Sequence, residues 1–318
     1  MTKLDDKGKA EDSIDITELR AYLILILCNQ GRYLMTHQIK TFIFLIFTFL
    51  SFNSWAQPNQ DLEKQVLANK VIKHSGLSEM ISQFPVLLKE GIQQGAEQSG
   101  AQSSGNNQKM IMQIGQIIDQ AFVVSESIEG IRNELSTQLT EQELISVLEW
   151  LNSPLGKKIT QMEVDVMSSE AYNDMQSQLL SLQERYRGSE RERLFERFDK
   201  ATNATEASLE TAIAVQLTLA SAMSASSNNP QMPSYEELKQ SIEANRFMMR
   251  GVIGQQVFAN YIYTYQKLTD DELKAYVDFA STPAGSHYSL VVNEAVKNAL
   301  LKPSEVIGSK IMAEAISG

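Results

Sequence analysis

Few side chains in this sequence have the type and spacing that catalysis or metal binding requires. Two histidines, His74 and His287, follow residue 56, and they lie far apart in the chain. A Ser-His-Asp site would therefore depend on convergence in the fold, because no local motif supplies it. Motifs for zinc hydrolysis, nucleotide binding or a nucleophile elbow are absent from the sequence. We predict no catalytic residue, no metal ligand and no cofactor, and a hydrolase with an unrecognised site remains an alternative.

Two glutamates that recur 129 residues apart, Glu143 and Glu272, are the most regular carboxylates in the chain. A pair of carboxylates can perform acid–base chemistry, but each of these stands three residues after a threonine, Thr140 or Thr269. This spacing is typical of a capping box, in which hydroxyl and carboxylate bind free backbone N–H groups at a helix start. We therefore favour a structural role for both glutamates.

A candidate ligand or partner surface lies in the last third of the sequence. Its residues are Tyr261, Tyr265, Tyr276, His287 and Tyr288. Aromatic side chains with polar tips suit contacts that are half apolar and half wet. The helical spacing of these residues favours a core position instead, so both interpretations stay open.

The elements that must position these residues are helices. Apolar residues recur every three or four positions in 109–139, 206–225 and 234–267, and strand patterns are nearly absent. Further capping boxes begin at Ser189 and Ser234. Residues 95–108 and 224–233 are small and polar and predict loops. The predicted fold class is all-α.

One segment of the chain occurs twice. Residues 139–156 (LTEQELISVLEWLNSPLG, the first box) align without a gap with residues 268–285 (LTDDELKAYVDFASTPAG, the second box), with six identities. Each box predicts a capped helix of about three turns, a corner at a hydroxyl-proline pair and a longer helix. A glycine follows each corner and would permit close approach of a neighbour. The motif residues are Thr140, Glu143, Leu144, Trp150, Ser153, Pro154 and Gly156, and Thr269, Glu272, Leu273, Phe279, Thr282, Pro283 and Gly285.

The box resembles the family called domain of unknown function 2059 (DUF 2059). That resemblance implies small, helical, exported proteins of Gram-negative bacteria, here with two tandem copies, and it implies no activity. It covers residues 139–167 well and 268–300 nearly as well. Family members often carry lysine after the glycine. Lys157 and Lys158 keep this feature, whereas Ser286 and His287 depart from it, which predicts the loss of a surface feature in the second copy.

A candidate export signal lies in residues 35–56. A weakly basic start is followed by an apolar run over 41–52, and Ser54 and Ala56 stand at the −3 and −1 positions of a cut after Ala56. Twelve apolar residues are too few to span a bilayer as a helix. We predict a mis-assigned extension (1–34) with Met35 as the true start, a cleavable signal peptide (35–56), and two helical-bundle units (57–188 and 189–318). An uncleaved anchor is the alternative.

Composition narrows the classes of function. The net charge is −11, which disfavours nucleic acid and anionic lipid as partners. The single cysteine, Cys28, leaves the later residues without a disulfide or a thiolate site. We expect a periplasmic, non-enzymatic protein that acts through an unidentified protein partner and touches the membrane only through its leader. The alternative to this interaction protein is a binder of a small apolar or lipid-like ligand between helices.

Overall fold

The computed structural model describes residues 58–98, 105–226 and 234–317, and within these ranges the chain forms helices and short connections with no strand. The all-α fold class is confirmed. None of the described helices is long and apolar enough to cross a membrane. The predicted extension (1–34) and signal peptide (35–56) lie outside the described residues.

Twelve helices occupy the described ranges, and their order follows the chain. The N-terminal six are α1 (Pro58–His74), α2 (Leu77–Gln98), α3 (Gly105–Ala121), α4 (Val124–Gln138), α5 (Glu141–Asn152) and α6 (Pro154–Asp165). The remaining six are α7 (Ser169–Tyr186), α8 (Glu190–Thr202), α9 (Ala204–Ser226), α10 (Tyr235–Thr264), α11 (Asp270–Ala280) and α12 (Pro283–Ser317).

The helix boundaries correct three predictions. The apolar stripe of 109–139 does not belong to one helix, because Val123 is extended (φ −93°, ψ 93°) and separates α3 from α4. The predicted loop at 95–108 is helical at both ends, since α2 continues to residue 98 and α3 begins at residue 105. The predicted loop at 224–233 likewise begins inside α9, which ends at residue 226. Residues 99–104 and 227–233 lie outside the described ranges.

A first hydrophobic core forms around the first box. It joins buried residues of α1, α4 and α5, such as Val71, Leu135 and Leu144, with Val291 and Ala295 of α12. The predicted first unit, 57–188, therefore shares its core with a helix that follows the second box. Burial of these side chains is the main force that holds α12 in this position.

A second core forms around the second box in a corresponding way. It joins residues of α8, α10 and α11, such as Phe198, Ile262 and Leu273, with Ile159 of α6 and Leu182 of α7. The predicted boundary between residues 188 and 189 falls between α7 and α8, and residues from both predicted units contribute to each core. The helix that leaves each box packs into the core around the other box.

A smaller core links α3 with the end of α12, and α12 also packs along α9. Gly308 of α12 makes this approach close, since a Cβ built there would lie 2.5 Å from the carbonyl oxygen of Leu219. The amide Nδ2 of Asn293 donates to the carbonyl of Thr202 at 2.9 Å. Because Thr202 ends α8 directly before α9 begins, these two contacts show that α9 and α12 run in parallel.

Candidate functional site

The candidate site is the junction where the two boxes face each other, and each box contributes a capped helix and a corner. Thr140 precedes α5, and Ser153 both ends α5 and caps α6, where its Oγ accepts from the N–H of Gly156 at 2.9 Å. In the second box Thr282 accepts from the N–H of Gly285 at 3.0 Å. The helix after the first corner, α6, is no longer than α5, whereas α12 is far longer than α11, so the predicted longer helix occurs once.

The two corner positions require glycine because the backbone of the preceding helix lies very close to them. A Cβ at Gly156 would lie 2.0 Å from the carbonyl oxygen of Trp150, and one at Gly285 would lie 2.2 Å from that of Phe279. Each glycine therefore meets the last turn of the helix before its own corner. The sequence predicted a close approach at these positions, and the structure identifies the backbone that makes it.

The capping boxes of α5, α10 and α11 are present in the structure. The N–H of Thr140 donates to Oε2 of Glu143 at 2.8 Å, and the N–H of Glu143 donates to the threonine Oγ1 at 3.2 Å. At Ser189 the predicted box is only half formed. The Ser189 hydroxyl accepts from the N–H of Glu192, but the Glu192 carboxylate accepts from the N–H of Gly188 instead.

The capping glutamate of each box also binds a side chain that lies two residues after the end of the other box. Nζ of Lys158 donates to the two carboxylate oxygens of Glu272 at 2.6 and 2.8 Å. Nδ1 of His287 lies 2.8 Å from Oε1 of Glu143. Positions 158 and 287 are 129 residues apart, as are 143 and 272. The two contacts are therefore reciprocal. Although His287 replaces the lysine that the family often carries, it makes the contact that corresponds to that of Lys158.

Both glutamates are held in the ionised form. The ammonium of Lys158 is the main cause that lowers the pKa of Glu272, helped by the N–H of Thr269. Desolvation alone would raise the pKa of Glu143, but hydrogen bonds from Thr140 and His287 outweigh it and lower that pKa. Both pairs are partly exposed to solvent, so each contributes little to the free energy of unfolding.

A stack of aromatic rings fills the space between the two boxes. The rings of Trp150 and Phe279, again 129 residues apart, lie parallel with centroids 4.5 Å apart and planes 6° from each other. The ring of Tyr276 lies 5.7 Å from that of Trp150 and is nearly parallel to it. This contact joins the two larger cores, because Trp150 packs against both.

A carboxyl group from α6 lies beside the stack. Oε1 of Glu163 accepts hydrogen bonds from the hydroxyls of Tyr265 at 2.6 Å and Tyr276 at 2.9 Å. Parts of the Glu163 side chain reach solvent, but protein surrounds its carboxyl group, and this desolvation raises the pKa of Glu163 above its usual range. Burial, together with the charge of Glu163, also raises the pKa values of both tyrosines.

The predicted ligand or partner surface belongs mostly to the interior. Tyr261 and Tyr265 are buried and pack against Phe195 and Phe198, and Tyr276 joins the same cluster. Burial raises the pKa of Tyr288 to about 12. The i, i+4 spacing of Tyr261 and Tyr265 places them on one helix face, which here is the core face. These tyrosines do not form an open groove; their hydroxyls bind polar groups of the protein.

The structure identifies two polar residues that the sequence did not indicate. Glu163 is one of them, and its partners lie more than 100 positions away. Arg191 of α8 is the other; it is buried, donates to the carbonyl of Leu268 and lies 3.3 Å from Asp270. Arg191 thus fixes the start of the second box. A local pattern contains no signal for either residue, since charged residues on helices usually face solvent.

The histidines form only part of a hydrolase arrangement. Glu143 lies between His287 and the hydroxyl of Thr140, which donates to the carboxylate at 2.8 Å. A nucleophile would have to bind the second imidazole nitrogen, and no described residue places a hydroxyl there. The imidazole of His74 forms no hydrogen bond or ion pair with the described part of the chain. Within those same ranges no group of His, Cys, Asp and Glu could hold a metal ion.

Comparison with known proteins is consistent with the resemblance of the first box. No curated protein and no solved structure matches the chain. The family match ends before the second box, so the tandem second copy stays a prediction. The segment 128–185, which contains the first box and α6, matches a bacterial family described as "Uncharacterized protein conserved in bacteria (DUF2059)".

Proposed function

We propose that this chain is an exported, non-enzymatic helical protein of the periplasm that acts by binding another protein of the cell envelope. Three features support the proposal. Residues 35–56 have the layout of a cleavable leader. The acidic net charge disfavours nucleic acid as a partner. The polar groups at the junction of the boxes bind one another, as structural groups do.

The outer face of α10 is the single observation that carries the proposed interaction. Phe247 is 90% exposed, the most exposed of the large apolar side chains in the described ranges. Ala244 and Gly251 are also exposed and lie one turn away on the same face, which also carries the exposed charged residues Glu243 and Arg250. An exposed phenyl ring with a charged rim is suited to an apolar socket on a partner protein, where aromatic residues often supply most of the binding energy.

Ion pairs hold this face of α10 in place. Arg246 binds Glu206 and Glu210 of α9, and Arg250 binds Glu206 at 3.2 Å. The hydrogen bonds from both arginines lower the pKa of Glu206, with Arg246 the larger cause. Phe247 therefore projects from a helix that these ion pairs anchor to α9, and an ordered anchor residue loses less entropy when a partner binds.

Site-specific photo-cross-linking in living cells tests the interaction. A photoreactive phenylalanine analogue at position 247 is expected to give one discrete cross-linked product with an envelope protein. The matched control carries the analogue at Glu196, an exposed position on α8, and should not give that product. The same product from both positions, or none from position 247, would refute the proposed interaction surface.

Export is tested separately. Mass spectrometry of the protein from the periplasmic fraction is expected to show Gln57 as the first residue. A chain that keeps residues 35–56, or that stays in the cytoplasm, would contradict the leader and the proposed location.

A further inference from the structure

A groove of about 590 Å³ lies between α9, the start of α10 and α12. Its middle is apolar and is formed by Ile213, Leu217 and Leu301. The size lies within the range of small-molecule sites, which are mostly apolar with a few polar groups. Leu217 and its neighbours on this side of α9 remain partly exposed, so the described residues leave this apolar surface uncovered.

The helix directions define two ends of the groove. α9 and α12 are parallel, and Gly308 of α12 lies beside Leu219 and Ala222 of α9. α10 is antiparallel to α9, because Arg246 binds Glu210 whereas Gly254, two turns further along α10, lies beside Thr205 at the start of α9. Lys297, Glu210 and Glu243 thus lie at one end of the groove, and Ser221, Tyr235 and Glu305 lie toward the other.

The charges at the Lys297 end already have partners. Nζ of Lys297 binds Glu294 at 2.6 Å, and Arg246 binds both Glu210 and Glu243. A charged ligand would gain little at this end, since it would compete with existing pairs.

The Ser221 end has polar groups that pair with no described residue. Oγ of Ser221 is buried and makes no hydrogen bond with the described part of the chain, whereas Ser304 and Thr202 donate to carbonyls of their own helices, at 2.7 and 2.9 Å. A buried hydroxyl without a partner is unfavourable, and a bound ligand can supply the missing partner. Glu305 is exposed and forms no ion pair with the described residues, and Tyr235 presents a half-exposed ring.

We propose that the groove binds a cationic amphiphile, namely an apolar chain that ends in a primary ammonium group. The ammonium donates to the Glu305 carboxylate and lies against the ring of Tyr235. Rotation of the Ser221 side chain into the groove would bring its now buried Oγ within reach as a second acceptor. The apolar chain follows Leu217, Leu301 and Ile213 toward the other end. An anionic amphiphile would meet the unpaired carboxylate at the same place and is therefore excluded by charge.

Titration calorimetry with the purified full-length chain and n-octylammonium tests the proposal. We expect saturable binding to one site, and no comparable binding of octanoate, which has the same apolar character and the opposite charge. Glu305→Gln is expected to weaken binding about tenfold, the effect of one hydrogen bond to a charged group. Ser221→Ala should weaken binding several-fold while helicity by circular dichroism is unchanged. Glu196→Gln, at an exposed site outside the groove, should leave the affinity unchanged.

Three results would overturn the proposal: binding of octanoate as strong as that of octylammonium, an affinity that Glu305→Gln does not change, or heats that never saturate. Because Glu305 is exposed, its substitution does not endanger folding, so the test does not depend on Ser221→Ala. The α10 face around Phe247 is not used in this experiment, so its outcome is independent of the proposed protein interaction.

Discussion

Replacing Gly156 with alanine is expected to destabilise the protein, although alanine is the better helix former. The new Cβ would lie 2.0 Å from the carbonyl oxygen of Trp150 and 3.1 Å from the Cα of Leu151, where ordinary contacts are 3.4–4 Å. Both neighbours are backbone, so no flexible side chain can move aside. The corner between α5 and α6 must open by about 1 Å to restore an acceptable separation.

The size of the effect follows from two opposing contributions. Alanine in place of a helical glycine contributes about 0.5–1 kcal/mol to stability when nothing obstructs it. Opening the corner strains the Ser153 cap on the N–H of Gly156 and displaces the helix that packs into the second core. Overpacking of this kind costs about 1–3 kcal/mol, and more where backbone must move. We expect a net loss of about 2–3 kcal/mol.

Urea unfolding followed by far-ultraviolet circular dichroism measures this loss. Gly130→Ala is the matched control, because Gly130 lies inside α4 with no atom within 4 Å of a built Cβ. The control is expected to be slightly more stable than the natural protein. If Gly156→Ala were as stable as Gly130→Ala, the close contact at the corner would be refuted. Gly285→Ala should behave like Gly156→Ala, since its Cβ would lie 2.2 Å from the Phe279 oxygen.

Three further predictions concern the junction of the boxes. The folded state raises the pKa of Glu163, so the stabilising contribution of its protonated form is present at low pH and is lost as the pH rises through the folded-state pKa. Glu163→Gln should therefore weaken this fall of stability with rising pH, measured as the urea midpoint at a series of pH values. If the midpoint of the variant falls as steeply, another group causes the pH dependence. A double-mutant cycle of Lys158→Ala and Glu272→Gln should give a coupling energy of about 0.2–1 kcal/mol, because the pair is partly exposed; a much larger value would mean a desolvated pair. Trp150→Ala should cost about 3–5 kcal/mol in urea unfolding, since its ring joins both cores and stacks on Phe279, and a cost below about 1 kcal/mol would contradict the stack.

Local features of the boxes could be predicted from the sequence because they depend on near neighbours. A hydroxyl three residues before a glutamate determines a capping box, and a hydroxyl-proline pair determines where one helix ends and the next begins. The same reasoning predicted a full capping box at Ser189, but only half of that box forms. There the carboxylate of Glu192 has a competing donor, the N–H of Gly188, whose positive φ of 70° turns the backbone at that point.

Long-range features could not be predicted in this way. The two boxes predict that a helix follows each corner, but they do not specify which core that helix packs into. The exchange of α6 and α12 between the two cores is a property of the assembled helices. Glu163 was missed for the same reason. A carboxylate among polar neighbours on a helix is normally solvated, and its two tyrosine donors are Tyr265, directly after α10, and Tyr276 of α11.

The reciprocal contacts explain how two different residues can stand at equivalent positions, two residues after the end of each box. Lys158 and His287 each bind the capping glutamate of the opposite box, at 2.6 and 2.8 Å. The glutamate is already oriented by the backbone N–H of its own threonine, so the incoming side chain needs only to place one nitrogen near a fixed carboxylate. An imidazole can do this without a permanent charge. The shared requirement at this position is therefore a nitrogen donor within reach of the opposite cap, and the cap glutamates serve both the start of their own helix and the pairing of the two boxes.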